Sequence, residues 1–172
     1  KHKYNMHPLT VTWAPHIYTD IGKINFYNMV DSGFDNVLIT PNGKVHRLLT
    51  KLAFLKLGHP FQPFIVGQRL VGPKIALEKK IPLVFYGENV AEYGNRIKDN
   101  YSPLMDNRLI TAFDVDNNDL LLSGTKIGEL KNYYKLTNND LEAYRSPKIE
   151  EINKLDMQVH YMSYYRYWSP QD

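Results

Sequence analysis

The sequence predicts a single α/β domain over residues 1–172, with a mostly parallel sheet and flanking helices. Short apolar runs alternate with segments of helical periodicity, two of these runs lack polar–apolar alternation, and polar residues cluster where predicted strands end. Strands that are buried on both faces give such uninterrupted apolar runs. The order strand, helix, strand, helix, helix, strand is typical of right-handed crossovers within a parallel sheet.

Four apolar runs are predicted to be strands. They are Leu9 to Ala14, Asn36 to Thr40, Pro82 to Tyr86 and the aromatic run Val159 to Trp168. The second and third are uninterrupted, so we expect both of their faces to be covered. The region from about Ile97 to Asn132 has weak periodicity and many Asn and Asp residues, so we expect it to be irregular.

Helical spacing and capping residues predict the helices between these strands. Val45, Leu48, Leu49 and Leu52 recur at i, i+3, i+4 and i+7, and Gly58 is placed to end that helix. The other predicted helices are Ile21 to Val30 after an Asp20 cap, Ile75 to Lys80 with Pro73 at the first position, a short helix after Thr137, and Ser146 to about Leu155.

The composition excludes several classes of protein. With 43% hydrophobic and 23% charged residues, the chain has the composition of a globular domain rather than a disordered one. It contains no cysteine, which excludes disulfides and thiol chemistry. No apolar run reaches membrane-spanning length and no signal peptide opens the sequence, so we expect a cytoplasmic protein.

Charge is unevenly distributed along the chain. Between Lys44 and Lys80 there are eight basic residues and one acidic residue, Glu78. Such a basic stretch suits a phosphate-bearing or otherwise anionic ligand. The alternative is that the long lysine side chains only solvate helix faces.

The densest polar cluster follows the third predicted strand, from Gly87 to Asn95. Gly87 has no Cβ, so the backbone there can approach a ligand closely. Glu88 and Glu92 would share one face of a helix, where paired carboxylates can hold Mg²⁺ or divide acid and base roles. Asn89 and Asn95 can bind a sugar or an amide through matched donors and acceptors. The alternative is an ordinary N-capped helix on an exposed loop.

Two other segments have the character of anion-binding turns. Thr40 to Lys44 joins a strand to a helix, and His46 and Arg47 follow in the first turn. Free backbone N–H groups and the positive end of the helix dipole favour an anion at such a turn. Gly67-Gln68-Arg69 has a similar composition. Ordinary strand-to-helix punctuation is the alternative for both.

Five blocks of unusual composition stand out along the chain: His7 to Gly22, Asp31 to Asn36, Thr40 to Arg47, His59 to Gln68, and Gly87 to Asn95. Together they closely resemble the N-acetyl sugar amidotransferases, a family of PP-loop ATP pyrophosphatases. That family acts in bacterial surface-sugar pathways, including those of pseudaminic and legionaminic acid derivatives and lipopolysaccharide O-antigen sugars. The resemblance extends over essentially the whole sequence.

The resemblance implies a reaction and its partners. ATP, with Mg²⁺, would activate the acetamido oxygen of a nucleotide-linked or free N-acetyl sugar as an adenylate, and ammonia would displace AMP to leave an acetamidino group. A partner glutaminase, accompanied by a cyclase-like protein, would supply the ammonia. We expect neither a nucleic-acid nor a membrane partner.

The resemblance also implies roles for individual residues at the predicted strand ends. Glu88, Asn89 and Glu92 are the expected catalytic residues, which face the nucleotide and Mg²⁺ or position the acetamido group. No residue is assigned as a metal ligand. The nucleotide-binding residues are Trp13, Ala14, Pro15 and Gly87, and the sugar-binding residues are Gln68, Tyr93 and Asn95.

The chain departs from the family in one respect. The defining phosphate loop, Ser-Gly-Gly-x-Asp-Ser, does not occur in it, and neither Ser32-Gly33-Phe34-Asp35 nor Ser123-Gly124-Thr125-Lys126 qualifies. We therefore expect the chain to be the central and C-terminal part of a longer amidotransferase, inactive on its own. One alternative is a non-catalytic nucleotide- or sugar-binding remnant that serves as an interaction subunit. Another is a sugar hydrolase that uses Glu88 and Glu92.

Overall fold

Two parallel pairs of strands pack against one long helix in the computed structural model, which describes residues 5–87 and 102–166. The first part contains β1 (Leu9–Trp13), α1 (Asp20–Asp31), β2 (Asp35–Ile39), α2 (Gly43–Leu57), α3 (Gln62–Lys79) and β3 (Leu83–Tyr86). The second part contains α4 (Asn107–Thr111), β4 (Leu121–Leu122), β5 (Thr125–Lys126), α5 (Ile127–Asn132), α6 (Asn138–Leu141), α7 (Ile149–Leu155) and β6 (Gln158–Tyr161), with short 3-10 helices at Glu142–Tyr144 and Met162–Tyr164.

The predicted α/β class is confirmed, and the sheets are small. β1 pairs in parallel with β2 along its whole length, and β3 pairs in parallel with β6. On its other side β6 forms an antiparallel bridge between His160 and Leu104. β4 and β5 form a separate antiparallel hairpin. Within the described residues, no strand pairs with the second edge of β1 or of β3.

Helix α3 connects the two parallel pairs. It packs against β1, β3, α2, α4, α7 and the 3-10 helix that ends at Tyr144. Its buried face includes Val66, Leu70, Val71 and Ala76. Every other described helix is shorter than its 18 residues. Both strand pairs therefore pack against α3, and burial of its apolar face stabilises this packing.

The interior of α3 contains a proline, Pro73. Proline has no N–H, so the carbonyl of Arg69, one turn earlier, loses the donor that a helix would normally provide. The hydroxyl of Tyr86, the last residue of β3, donates to that carbonyl at 2.5 Å. The carbonyl that the proline leaves without a helical donor thus becomes the attachment point for the end of β3.

Several predicted helix boundaries are confirmed, and two are wrong. α2 ends at Gly58, which adopts the left-handed conformation (φ 65°), and Thr137 forms a capping box with Asp140. The cap of α1 is Thr19 rather than Asp20. The predicted start of a helix at Pro73 is wrong, because α3 already begins at Gln62 and continues through the proline. Pro63, in its first turn, is the proline that fits the N-terminal preference.

Two further expectations are wrong in part. The region expected to be irregular contains α4, α5 and the β4–β5 hairpin between residues 102 and 132. Ser123 and Gly124 form the hairpin turn with φ values of 56° and 68°, as a type I′ turn requires. The aromatic run from Val159 forms a strand only as far as Tyr161, because the chain then turns into a 3-10 helix.

The expectation that β2 and β3 are covered on both faces is wrong. Leu83 and Phe85 of β3 are 49% and 45% exposed, whereas Val84 and Tyr86, on the other face, pack toward α3. On β2, Leu38 is exposed as well. α1 contains no buried residue, and Ile21 and Ile24 are exposed on it. The described elements therefore cover one face of each parallel pair far better than the other.

Replacing Tyr86 with Phe should lower the free energy of unfolding by about 1–3 kcal/mol, because it removes the hydroxyl that donates to the Arg69 carbonyl. In the Pro73→Ala background the helix can supply an N–H to that carbonyl, so the same replacement should cost less. Urea unfolding of the four proteins in this double-mutant cycle measures the difference. Tyr133→Phe, at a 74% exposed position, is the control for loss of a hydroxyl. Equal costs of Tyr86→Phe in both backgrounds would contradict the account.

Candidate functional site

The carboxyl ends of the parallel strands lie beside the N-terminal half of α3. The register aligns Trp13 with Ile39 at the end of one pair and Tyr86 with Tyr161 at the end of the other. The indole of Trp13 lies directly on Gly67, and Tyr86 bonds to the carbonyl of Arg69. We call the region formed by these four strand ends and residues 67–69 of α3 the carboxyl-end edge. In parallel α/β sheets, ligands bind at such an edge.

The nucleotide-binding residues predicted from the sequence lie at this edge. Trp13 and Ala14 are buried, each 6% exposed, while Pro15 and Gly87 are exposed. The Ala14 N–H donates to the Ile39 carbonyl at 2.9 Å, which extends the strand pairing by one residue. A Cβ at position 67 would lie 2.3 Å from the Trp13 ring, so only glycine admits the indole there. Trp13 therefore belongs to the buried part of this edge, whereas Pro15 and Gly87 belong to its exposed surface.

The predicted sugar-binding and catalytic residues fall mostly outside the described residues. Glu88, Asn89, Glu92, Tyr93 and Asn95 belong to the segment 88–101, which the structure does not describe. Gln68 is described: it is half-buried in α3, and its carbonyl lies 3.4 Å from the Tyr86 hydroxyl. The structure thus brings Gln68 close to the strand end that precedes Gly87.

Of the two predicted anion-binding turns, one lies at a helix start and the other does not. Asn42 caps α2 by accepting from the Lys44 N–H at 3.0 Å, at the carboxyl end of β2. Gly67-Gln68-Arg69 lies inside α3, where backbone N–H groups are used within the helix. The interpretation of that second segment as an anion-binding turn is wrong.

An aromatic cluster at the carboxyl-end edge was not predicted from the sequence. Tyr144 lies with its hydroxyl 2.6 Å from Nδ1 of His46, and both residues are buried. His16, which is exposed, stacks on the His46 ring at a centroid distance of 4.7 Å. Trp13 meets His46 and Tyr144 edge-on, at 6.3 and 6.1 Å. Tyr144 is 98 residues from His46 in sequence, so local spacing contains no signal for this contact.

Burial sets the protonation of this cluster. Desolvation, with a smaller contribution from the positive charge that His16 can carry, lowers the pKa of His46 to about 4. Burial also raises the pKa of Tyr144, so its phenol keeps its proton. The indole N–H of Trp13 is sealed from solvent and has no hydrogen-bond partner among the described residues. The buried part of the cluster, formed by His46, Tyr144 and Trp13, is therefore uncharged near pH 7 and carries several hydrogen-bond donors.

The described residues contain no cluster of metal-ligating side chains. Over residues 5–87 and 102–166, no group of three or more His, Asp or Glu side chains is placed to hold a metal ion. The predicted carboxylates Glu88 and Glu92 lie outside that part of the chain. In the same part, none of the helices has the length and apolar character needed to cross a bilayer.

A cavity of about 780 Å³ lies away from the carboxyl-end edge, against the C-terminal half of α3. Lys74, Glu142 and Arg145 are among its lining residues. Arg145 pairs with Asp116 at 2.6 Å and with Glu142 at 2.7 Å, and Lys74 donates to the Glu142 carbonyl at 2.6 Å. These charged groups already have protein partners. They are therefore better explained as a structural network of ion pairs that lines the cavity than as ligand-binding residues.

Comparison with known proteins does not assign the chain to a family. No protein-family model matches it, and no curated protein matches it.

Acidification should destabilise the protein through His46. The unfolded state binds a proton below pH 6.5, whereas the folded state resists protonation until about pH 4. This contribution to stability is complete above pH 6.5 and is lost as the pH falls to 4, by at most about 1.4 kcal/mol per pH unit. Denaturant unfolding at a series of pH values should show a shallower slope in this window for His46→Gln. His7→Gln, the removal of an exposed histidine, is the control, and a slope that His46→Gln leaves unchanged would contradict the assignment.

Proposed function

We propose that the chain forms part of an ATP-dependent amidotransferase that converts the N-acetyl group of a bacterial surface sugar into an acetamidino group. The observation that supports this most is the carboxyl-end edge, to which Trp13 to Pro15, Gln68 and Gly87 belong: Trp13 packs on Gly67, and Tyr86, which precedes Gly87, bonds to the Arg69 carbonyl and lies 3.4 Å from that of Gln68. These residues belong to three of the blocks that carry the resemblance to the amidotransferases. The same edge is where nucleotides bind in parallel α/β sheets.

We further propose that the two strand pairs are parts of one parallel sheet of the PP-loop type. The second edges of β1 and β3 have no partner strand among the described residues, and the carboxyl ends of both lie at the same end of α3. One additional parallel strand between them would complete the ladder β2-β1-x-β3-β6. A helix following that strand would cover exposed apolar residues such as Leu83 and Phe85, whose exposure has a cost in water. In the family, the phosphate loop follows such a strand.

The proposed reaction solves one chemical problem, because an amide oxygen is a very poor leaving group. The acetamido oxygen would attack the α-phosphorus of ATP and displace pyrophosphate, giving an O-adenylated imidate. Ammonia would then add to the former amide carbon, and AMP would leave with the original oxygen. Aligning these groups and keeping water away are the main tasks of the protein.

The residues of this chain would help to align the reacting groups and to keep water away from them. Pro15 and Gly87 are exposed at the strand ends, and the missing Cβ of Gly87 lets a flat base or a sugar approach the backbone there. Gln68 offers an amide that can both donate and accept. Glu88, Asn89 and Glu92 remain the proposed catalytic residues on the basis of the sequence alone. A partner glutaminase would deliver the ammonia.

The direct test is an assay on the protein encoded by the whole open reading frame that contains this chain. With ATP, Mg²⁺, ammonium chloride and an N-acetyl sugar, it should form AMP and pyrophosphate only when the sugar is present. Mass spectrometry should show the exchange of one oxygen for NH in the sugar. Glu88→Gln should lower the rate of AMP formation by about 100-fold or more, as expected for a group that handles a proton or a metal.

Glu78→Gln is the matched control, since Glu78 is exposed and its ion pair among the described residues is with the neighbouring Lys79, at 2.8 Å. It should keep the parent rate. Formation of ADP instead of AMP, or release of AMP that does not depend on the sugar, would contradict the proposed function.

A further inference from the structure

His46 combines deep burial with a position at the carboxyl-end edge. It lies in the first turn of α2, a helix of 15 residues, and is 7% exposed. Its backbone N–H donates to the Asn42 carbonyl at 2.8 Å, and its carbonyl accepts from the Thr50 hydroxyl, also at 2.8 Å. The side chain is held between the stacked ring of His16 and the edge of Trp13. The ring therefore has little freedom to turn.

The contact with Tyr144 fixes the tautomer of this ring. The buried Tyr144 phenol retains its proton, because burial raises its pKa, and among the described residues the only acceptor that its hydroxyl contacts is Nδ1 of His46, at 2.6 Å. Donation by the phenol pairs that buried proton, whereas the Nδ1–H tautomer would leave it without an acceptor. The imidazole is neutral near pH 7, because burial lowers the pKa of His46 to about 4. A neutral imidazole carries one proton, and since Nδ1 accepts, that proton is on Nε2.

The Nε2–H group of His46 has no acceptor among the described residues. Unlike Trp13 Nε1, it is not sealed from solvent, so part of this donor remains open to solvent although His46 as a whole is only 7% exposed. A rigid N–H donor that carries no charge is suited to an acceptor oxygen, and the nearby helix N-terminus favours negative charge on that oxygen.

We propose that His46 is a ligand-binding residue of the carboxyl-end edge, which donates its Nε2–H to an acceptor oxygen of the nucleotide or of the sugar acetamido group. Tyr144 is a positioning residue, which acts by holding His46 in the Nε2–H tautomer. This inference rests on the proposed function and adds to it a recognition element that none of the predicted site residues provides. A purely structural histidine would instead serve only to satisfy the Tyr144 hydroxyl.

The test is long-range ¹H–¹⁵N NMR on the 172-residue chain with ¹⁵N-labelled histidine. His46 should show the Nε2–H tautomer at pH 7. Tyr144→Phe should change the tautomer ratio, while Tyr133→Phe, at an exposed tyrosine, should not. If Tyr144→Phe does not fold, the tautomer of the parent protein and the following titrations decide the question.

Two separate titrations identify the source of the oxygen: one with ATP and Mg²⁺, the other with N-acetyl-D-glucosamine. The ligand whose oxygen is bound should shift the His46 Nε2–H signal, and His46→Phe should weaken its binding about tenfold, as loss of one hydrogen bond implies. His7→Phe, at an exposed histidine, should not change the affinity. Shifts at Gln68 or Gly87 without a shift at His46 would overturn the inference and leave the proposed function standing. No shift anywhere with either ligand would count against both.

Discussion

The attachment of Tyr86 to the carbonyl of Arg69 is the interaction on which the arrangement of this protein depends. Pro73 leaves that carbonyl without its helical donor, and the last residue of β3 supplies a replacement at 2.5 Å. The bond holds the end of β3 at the same part of α3 that receives Trp13 against Gly67. The ends of two strand pairs that do not pair with each other are thereby held side by side.

This arrangement has a thermodynamic consequence for the proposed site. An unsatisfied carbonyl in a half-buried place is costly, and a side chain at residue 67 would overlap the indole of Trp13, so both contacts are tightly specified. The opposite faces of the strand pairs are much less constrained, as the exposure of Leu83, Phe85 and the isoleucines of α1 shows. A well-defined edge for binding therefore coexists with a face that is incompletely covered by the described residues.

The sequence predicted those features that depend on neighbours in the chain. The periodicity of α2, its end at Gly58 and the Thr137 capping box are local, and they were predicted correctly. Pro73 does not start a helix as predicted, since α3 continues through it, and the donor that meets the Arg69 carbonyl comes from Tyr86, 17 residues away, which local rules do not consider. The prediction that β3 is buried on both faces was wrong for a similar reason. An apolar run shows that both faces of a strand could be buried, but whether they are depends on which helices pack against each face.

The candidate site was predictable only in part. The strand-end rule predicts Trp13 to Pro15 and Gly87 at the carboxyl ends of β1 and β3, and both of these ends lie beside residues 67–69 of α3. The contact between His46 and Tyr144 could not be found in this way, since it joins α2 to a 3-10 helix 98 residues later. Neutral, buried polar pairs of this kind have no spacing signature. Their chemistry emerges only from the fold.

Amide hydrogen exchange at β1 is the most direct test of the proposal that a further parallel strand lies between β1 and β3. Because the Ala14 N–H points to β2, alternation directs the N–H groups of Thr10 and Thr12 to β2 and those of Val11 and Trp13 to the other edge. In the 172-residue chain, Val11 and Trp13 should exchange faster than Thr10 and Thr12. In the protein encoded by the whole open reading frame, all four should be protected. Fast exchange of Val11 and Trp13 in both proteins would contradict the claim.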